Sequence, residues 1–273
     1  MEDTDYALGR TSAEYDRLTE QADLLRPLTE RMLRAAGIGP GMHVLDVGCG
    51  MGDVSFLVSE LVGPEGSVVG VDLDLEVLCR ADGRRTMRGI QNVRFQEGDA
   101  RSVASDRSFD AAVGRFVLMY MSDPTAALRH LAKRVRSGGI LAFHEWDAGC
   151  PSTSASRLPV LASLQSLLVE TWERSGARAD TGGHLYTLMS ETGLMPASSP
   201  LAEIAMCAGD ADTVYRRWAS MARSLLPKIV EYGLASEQSV LDIVERQLHD
   251  ELRGARGLLP LSWLMIGQWA CKP

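Results

Sequence analysis

A doubly wound α/β fold is predicted by three observations. A glycine-rich turn, Gly48-Cys49-Gly50-Met51-Gly52, stands directly between an apolar, β-branched run at 42–47 and an apolar helical pattern that begins at Val54. A second apolar run at 67–71 ends in Asp72, about 20 residues past the turn, where nucleotide-binding sheets carry an acid that takes hydrogen bonds from ribose hydroxyls. Strand-like and helix-like runs then keep alternating as far as Glu145, as crossovers between parallel strands require.

Each element has its own warrant. Residues 11–36 read as a helix, because Leu18, Ala22, Leu25, Leu28, Met32, Leu33 and Ala36 recur at helical spacing. Strand one covers 42–47, and the glycines let the chain turn tightly and admit a ligand close to the N–H groups that open the following helix. The turn's G-x-G-x-G spacing differs from the G-x-G-x-x-G of nicotinamide-binding folds, yet turn and acid alone fit either cofactor. A third strand at 93–97 is followed by Asp99, and a fourth opens at 108 and runs out through Arg115 towards Tyr120. Pro124 suits the first turn of a helix over 124–135, which Ser137-Gly138-Gly139 should end. Strand five follows at 140–145, then helices at 157–175 and 181–193, a strand at 202–207, a helical stretch at 210–255 and a last strand at 262–270.

From 40 to 147, the glycine turn, Asp72, the Gly98-Asp99-Ala100 strand end and the Phe109-Asp110 strand start fall in an order that resembles the class I S-adenosylmethionine-dependent methyltransferases. The resemblance implies a Rossmann-like sheet of seven strands, mostly parallel, with the closing C-terminal strand inserted antiparallel. By likeness to that family, S-adenosyl-L-methionine would be the cofactor: Gly48, Gly50 and Gly52 against its methionine portion, Asp72 on the ribose, Leu73 on the adenine face, and Asp99 with Ala100 at the adenine amino group. Asp46 would sit beneath the turn, and Arg115 is grouped with the cofactor contacts, although it would equally brace the loop after strand four. Taken from the residues alone, Asp72 and Asp99 are as readily caps of the next helices. Asp110, at the opposite end of its strand, reads as structural.

The expected organisation is an N-terminal helical lid at 1–36, a core at 37–208, a helical lid insertion at 209–258 and the closing strand at 259–273. Composition fits a soluble globular chain: 45% hydrophobic, 23% charged and a net charge of −8 over 273 residues. With 28 basic against 36 acidic residues there is no basic stripe for nucleic acid. The acidic start, Met1-Glu2-Asp3-Thr4-Asp5, lacks the blocks of a secretory signal, and five scattered cysteines suggest free thiols, so a cytoplasmic setting is expected, without metal or membrane association. Arg84-Arg85 reads as a solvated helix face or a helix C-terminus, and a homodimer is left open.

Chemistry is expected where strands four and five end. His144 is the candidate general base, because histidine titrates near neutrality, with Glu145 or Asp147 to orient it or bind a substrate amine. His144 as an ordinary strand residue bonded to a neighbouring loop is the competing reading. Acceptor contacts are sought at Tyr6, Arg10 and Tyr15 of the N-terminal segment, at Tyr120 and Trp146 beside the rim, at His184 and Tyr186, and at Trp218 of the insertion, where core packing is the plainer account. The segments at 6–10 and 114–119 resemble a bacterial branch that modifies small molecules, often natural products. An aromatic or apolar acceptor, methylated on oxygen, nitrogen or carbon, suits these side chains best. Methylation of protein or RNA, and a scaffold or cyclase that binds the cofactor without using its methyl, are the alternatives.

Overall fold

The computed structural model describes residues 12–101, 103, 108–149, 157–206, 211–255 and 261–273. Tyr6 and Arg10 lie outside them. The chain runs α1 (Ser12–Ala35), β1 (His43–Val47), α2 (Asp53–Val62), β2 (Ser67–Asp72), α3 (Leu75–Met87), β3 (Val93–Glu97), β4 (Phe109–Arg115), α4 (Pro124–Arg134) and β5 (Val135–Asp147). It continues through α5 (Pro159–Arg174), α6 (Thr181–Ser190), β6 (Met195–Pro196), β7 (Leu201–Met206), α7 (Ala211–Glu231), α8 (Glu237–Asp242), a π-helical stretch at Ile243–Gln247, α9 (Leu248–Gly254) and β8 (Leu261–Cys271).

Sheet order is β3-β2-β1-β4-β5-β8-β6, with β7 also paired to β8. Strands β1 to β5 are parallel, and β8 enters antiparallel beside β5, pairing Ile140 with Cys271 at one end and Asp147 with Leu264 at the other. The expected seven strand positions are there in eight pieces, because β6 and β7 lie in succession along β8. Pro196 and Pro200 flank the interruption, and proline cannot donate to a ladder.

Successive strand residues go to opposite faces. Val44, Val68, Ala111, Val113 and Ala142 pack with Phe56, Leu57 and Met32 on one, whereas Leu45, Val47, Val69, Ala112, Leu141 and Phe143 pack with Leu128, Leu131 and Leu185 on the other. Burial on both faces explains why these strands read as continuous apolar runs. One boundary differs from expectation: Ser137-Gly138-Gly139 lies inside β5, in a bulge opposite β4, with Gly138 at φ 71 and its N–H donated to the Lys272 carbonyl.

A third cluster lies beyond the ends of β5 and β8, where Trp146, Trp263 and Met265 meet Leu164, Leu168 and Trp172 of α5 and the buried faces of α7 to α9. Helix α5 therefore packs with the helical layer, although the sequence reading left it in the core range. The two sides are laced together by Glu251 of α9, whose carboxylate accepts the Val160 and Leu161 N–H groups at the start of α5.

Candidate active site

Between β1 and β4 the sheet order reverses direction, and the loops after these two strands part there to leave a crevice. The glycine turn forms one wall. Gly48, Gly50 and Gly52 all have positive φ, at 64°, 51° and 83°. A Cβ on Gly48 would lie 2.5 Å from a Val117 methyl carbon, and one on Gly52 would lie 2.8 Å from the Phe95 ring. Asp72 fixes the turn from β2: its carboxylate accepts the Gly50 N–H at 2.9 Å and the Asp74 N–H at 3.1 Å. Arg84 lies in the last turn of α3, as one of the two expected placements has it, and from there it bonds the Met51 carbonyl at 2.5 Å and Asp53 at 2.6 Å, so it also pins the turn.

The cavity that opens here has a volume of about 850 Å³. Its polar end is formed by Gly48, Cys49, Asp53, Asp72, Asp99 and Arg115, with Leu73 and Ala100 beside them. At the other end stand Phe116, Tyr120, Met121, Trp146, Trp172 and Met221. Helix α1 closes one flank with Glu14, Tyr15, Arg17, Leu18 and Gln21. Arg17 clamps Glu14 through two bonds of 2.7 and 2.5 Å, and Glu14 also accepts the Ser224 hydroxyl at 2.6 Å, which joins α1 to α7. Tyr15 is buried beneath the guanidinium of Arg80, 4.2 Å from its ring centre.

Three of the proposed cofactor residues shape the wall from behind instead of lining it. Gly50 spends its N–H on Asp72, and Gly52 packs under Phe56 and Phe95 at the start of α2. Asp46 is buried below the turn, where it accepts the Ser55 hydroxyl at 2.5 Å; its other oxygen has no partner. Burial raises its pKa to about 7. Asp99 is held by Arg101, whose side-chain bonds keep the carboxyl below its ordinary range. Cys49 lines the cavity, and burial holds its thiol well above its usual pKa.

The expected catalytic cluster needs correction. His144, 1% exposed, does not line the cavity: its Nδ1 lies 3.3 Å from Thr29 Oγ1, which accepts from Arg115 on its other side. Burial, with Arg115 and Arg31 nearby, depresses its pKa to about 3, which suits a neutral structural imidazole and not a base. Glu145 is fully buried and accepts the N–H groups of Val117 and Leu118, each at 2.9 Å. Asp147 caps Gly149 at 3.0 Å. These residues alternate along a strand whose two faces are both covered, so their place near its end did not put them on the rim. His184 pairs with Asp180 on the surface, Tyr186 is half-exposed and Trp218 packs on Trp263 in the helical core. Asp110, as expected, is structural: it receives the His43 N–H and Arg136.

Glu145 fixes the one strained backbone of the wall. Phe116, the only non-glycine with positive φ among the described residues at 55°, is held by stacking on Trp146 at 4.7 Å and 6° between planes, and by donating its N–H to the His144 carbonyl. Such a conformation costs about 1–3 kcal/mol and persists only where its surroundings over-determine it. Burial raises the pKa of Glu145 to about 7 against the pull of the N–H donors. Between its ordinary pKa of 4.5 and about 7, the folded chain holds a proton that the unfolded chain has lost, so this group subtracts stability as pH rises through that window. His144 acts in the opposite sense, destabilising the fold as pH falls from 6.5. Glu145→Gln keeps an acceptor for the loop and cannot ionise. Its melting temperature relative to wild type should therefore climb between pH 5 and pH 8; a flat difference would remove Glu145 from the pH response.

The cavity fits S-adenosylmethionine. A cradle closed to any Cβ at Gly48, carboxylates at the ends of β2 and β3, and Arg115, a cation bonded to the Thr29 hydroxyl, match an aminocarboxylate joined to a ribose and a base. Among the described residues no three of His, Cys, Asp and Glu converge to hold a metal, and no helix is long and apolar enough to cross a membrane.

Known proteins agree with the geometry. A methyltransferase domain family matches residues 38–193. Aklanonic acid methyltransferase DauC from Streptomyces sp. strain C5 is 31% identical over 150 residues, 52% of this chain and 67% of that protein. A demethylmenaquinone methyltransferase of Staphylococcus aureus is 32% identical over 162 residues, 57% of this chain and 62% of that one. The aligned stretch thus spans about two thirds of the curated relatives' length. The YcgJ protein of Bacillus subtilis shares the fold, with a TM-score of 0.57 at 20% identity over 89% of this chain and 97% of that one. With more than half of its length matched by the domain, and with the strand order and glycine turn that carry it, the chain belongs to the class I S-adenosylmethionine-dependent methyltransferases.

Proposed function

We propose that this protein methylates a small, largely apolar aromatic molecule. The observation that carries the reading is the continuity of one cavity from the acidic strand ends to a wall of Phe116, Tyr120, Trp146 and Trp172. Both curated relatives named above are called after small molecules, aklanonic acid and demethylmenaquinone, which supports this class of acceptor.

S-adenosylmethionine, when bound, supplies a methyl group on a sulfonium. This chain's residues contribute position and dryness. Gly48, Asp72, Leu73, Asp99 and Ala100 would hold the nucleoside and methionine portions, with Arg115 offered to the carboxylate. Phe116 and Trp146 would present a flat face to the acceptor, with Met121 and Met221 filling irregular space around it. Aligning two reactants in a water-poor cavity supplies much of the acceleration of a bimolecular displacement. No histidine lines the cavity among the described residues, so an acceptor that is already a nucleophile, such as a carboxylate or a phenolate, fits it better than one that must first lose a proton to imidazole. The segments 1–36 and 209–258 would act as covers, joined by α5, since α1, α5 and α7 each lend side chains to the cavity.

Incubation with S-adenosylmethionine and a metabolite extract should yield S-adenosylhomocysteine and an equal amount of an aromatic product heavier by CH₂. Cofactor binding without any such product, across extract and a panel of carboxylated and hydroxylated polycyclic compounds, would sink the reading.

A further inference from the structure

We propose that Thr29 of α1 is a positioning residue for the cofactor: its hydroxyl oxygen aims the guanidinium of Arg115 at the methionine carboxylate. The inference rests on the reading of Arg115 as the partner of that carboxylate. Arg115 ends β4 and lines the polar end of the cavity. Among the described residues its one hydrogen bond runs from Nη1 to Thr29 Oγ1 at 3.0 Å, and Asp46 and Asp53 act on it only through space. A guanidinium carries five N–H donors, so most of its capacity is uncommitted. None of its nitrogens is both sealed from solvent and without a partner, in contrast to one carboxylate oxygen each of Asp46 and Glu145, so the uncommitted donors are open to an incoming anion.

Thr29 is itself firmly fixed. It is 0% exposed, and three groups converge on its oxygen: the Leu25 carbonyl at 3.1 Å, Arg115 at 3.0 Å and His144 Nδ1 at 3.3 Å. A carbonyl only accepts and a guanidinium only donates. The single hydroxyl proton therefore goes to Leu25, and the oxygen's lone pairs take Arg115 and the Nδ1–H of His144. With all three places filled, the hydroxyl cannot turn away from Arg115. Holding a long, flexible side chain in its bound orientation before the ligand arrives removes part of the ordering cost of binding. Thr29 does not line the cavity and lies 86 residues from Arg115, so α1 serves the cofactor at this point through Arg115 and not by contact.

The test is titration calorimetry of the full chain with S-adenosylhomocysteine and with its decarboxylated analogue, which keeps the nucleoside, thioether and amine. Wild type should prefer S-adenosylhomocysteine about tenfold or more, as a charge-assisted pair implies. Thr29→Val, of matching size but without an acceptor, should cut that preference about threefold to tenfold, and Thr29→Ser should restore it. Equal weakening of both ligands, the result of disturbed α1 packing alone, would overturn the proposal, as would a Thr29→Ser variant no better than Thr29→Val. Should Thr29→Val fail to fold, as loss of its thermal transition would reveal, Thr29→Cys takes its place, because a thiol is a weak acceptor, and the same outcomes decide. Arg115→Gln separates this inference from the reading beneath it. Preference lost in Arg115→Gln but intact in Thr29→Val would leave the carboxylate assignment standing and overturn the role of Thr29; preference kept in Arg115→Gln, or absent from wild type, would overturn both.

Discussion

Replacing Gly48 with Ala should lower stability by about 1–3 kcal/mol and reduce S-adenosylhomocysteine binding to an undetectable level. Two effects combine at this position. A side chain at φ 64 is strained whatever the space around it, and the new Cβ would stand 2.5 Å from Val117. Val117 can retreat only by disturbing the N–H groups that Glu145 holds and the Phe116 backbone next to them. The loop after β4 would therefore move along with the glycine turn. Gly50→Ala separates the two causes, because φ is 51° there but nothing lies within 4 Å of the added carbon. Gly63→Ala, at φ 66 and at the far end of α2, isolates backbone strain away from the site. Thermal melts and titration calorimetry should rank Gly48 as the most damaging of the three in both stability and binding. Wild-type binding by Gly48→Ala would exclude the glycine turn from the site.

Asp72→Ala should weaken S-adenosylhomocysteine by about 10- to 100-fold, more than one neutral hydrogen bond is worth, because an ionised acceptor makes stronger bonds. The carboxylate also organises the turn through Gly50 and starts α3 through Asp74. Asn at 72 retains one acceptor oxygen and should recover part of the turn while still losing charge-assisted affinity. An Asn variant as weak as Ala would assign the effect to the carboxylate's contact with ligand; near-complete recovery would assign it to the turn. Unchanged affinity in Asp72→Ala would sink the ribose assignment.

These contrasts show what the sequence reveals and what it hides. The turn and the strand ends were legible because each follows from local chemistry: glycine for positive φ, an acid where a strand stops, apolar runs where both faces are covered; the antiparallel closing strand was implied only by the family resemblance. Tyr15, Tyr120 and Trp146 were placed on the cavity, as were Leu73, Asp99, Ala100 and Arg115. His144 and Glu145 were misread because proximity to a strand's end does not say whether a side chain faces the rim or the packed layer behind it. Glu14, Arg17 and Gln21 were missed, although their spacing of three and four marks a polar stripe beside an apolar helix face. Arg84 escaped because its partners lie 31 and 33 residues away. Phe116 and Trp172 carried no signal, since a left-handed backbone at phenylalanine and an unpaired indole exist only in the assembled fold.

The interrupted strand at β6 and β7 has a consequence for how copies of this chain meet. Sheets recruit neighbours through rows of unused backbone groups along their margins, the route to swapped dimers and fibrils. On one margin the run is split in two beside Pro196 and Pro200; on the other, β3 is five residues long and carries Arg94, Gln96 and Glu97. Neither margin offers a long, flat, apolar template, so self-association by continuing the sheet is disfavoured on both sides.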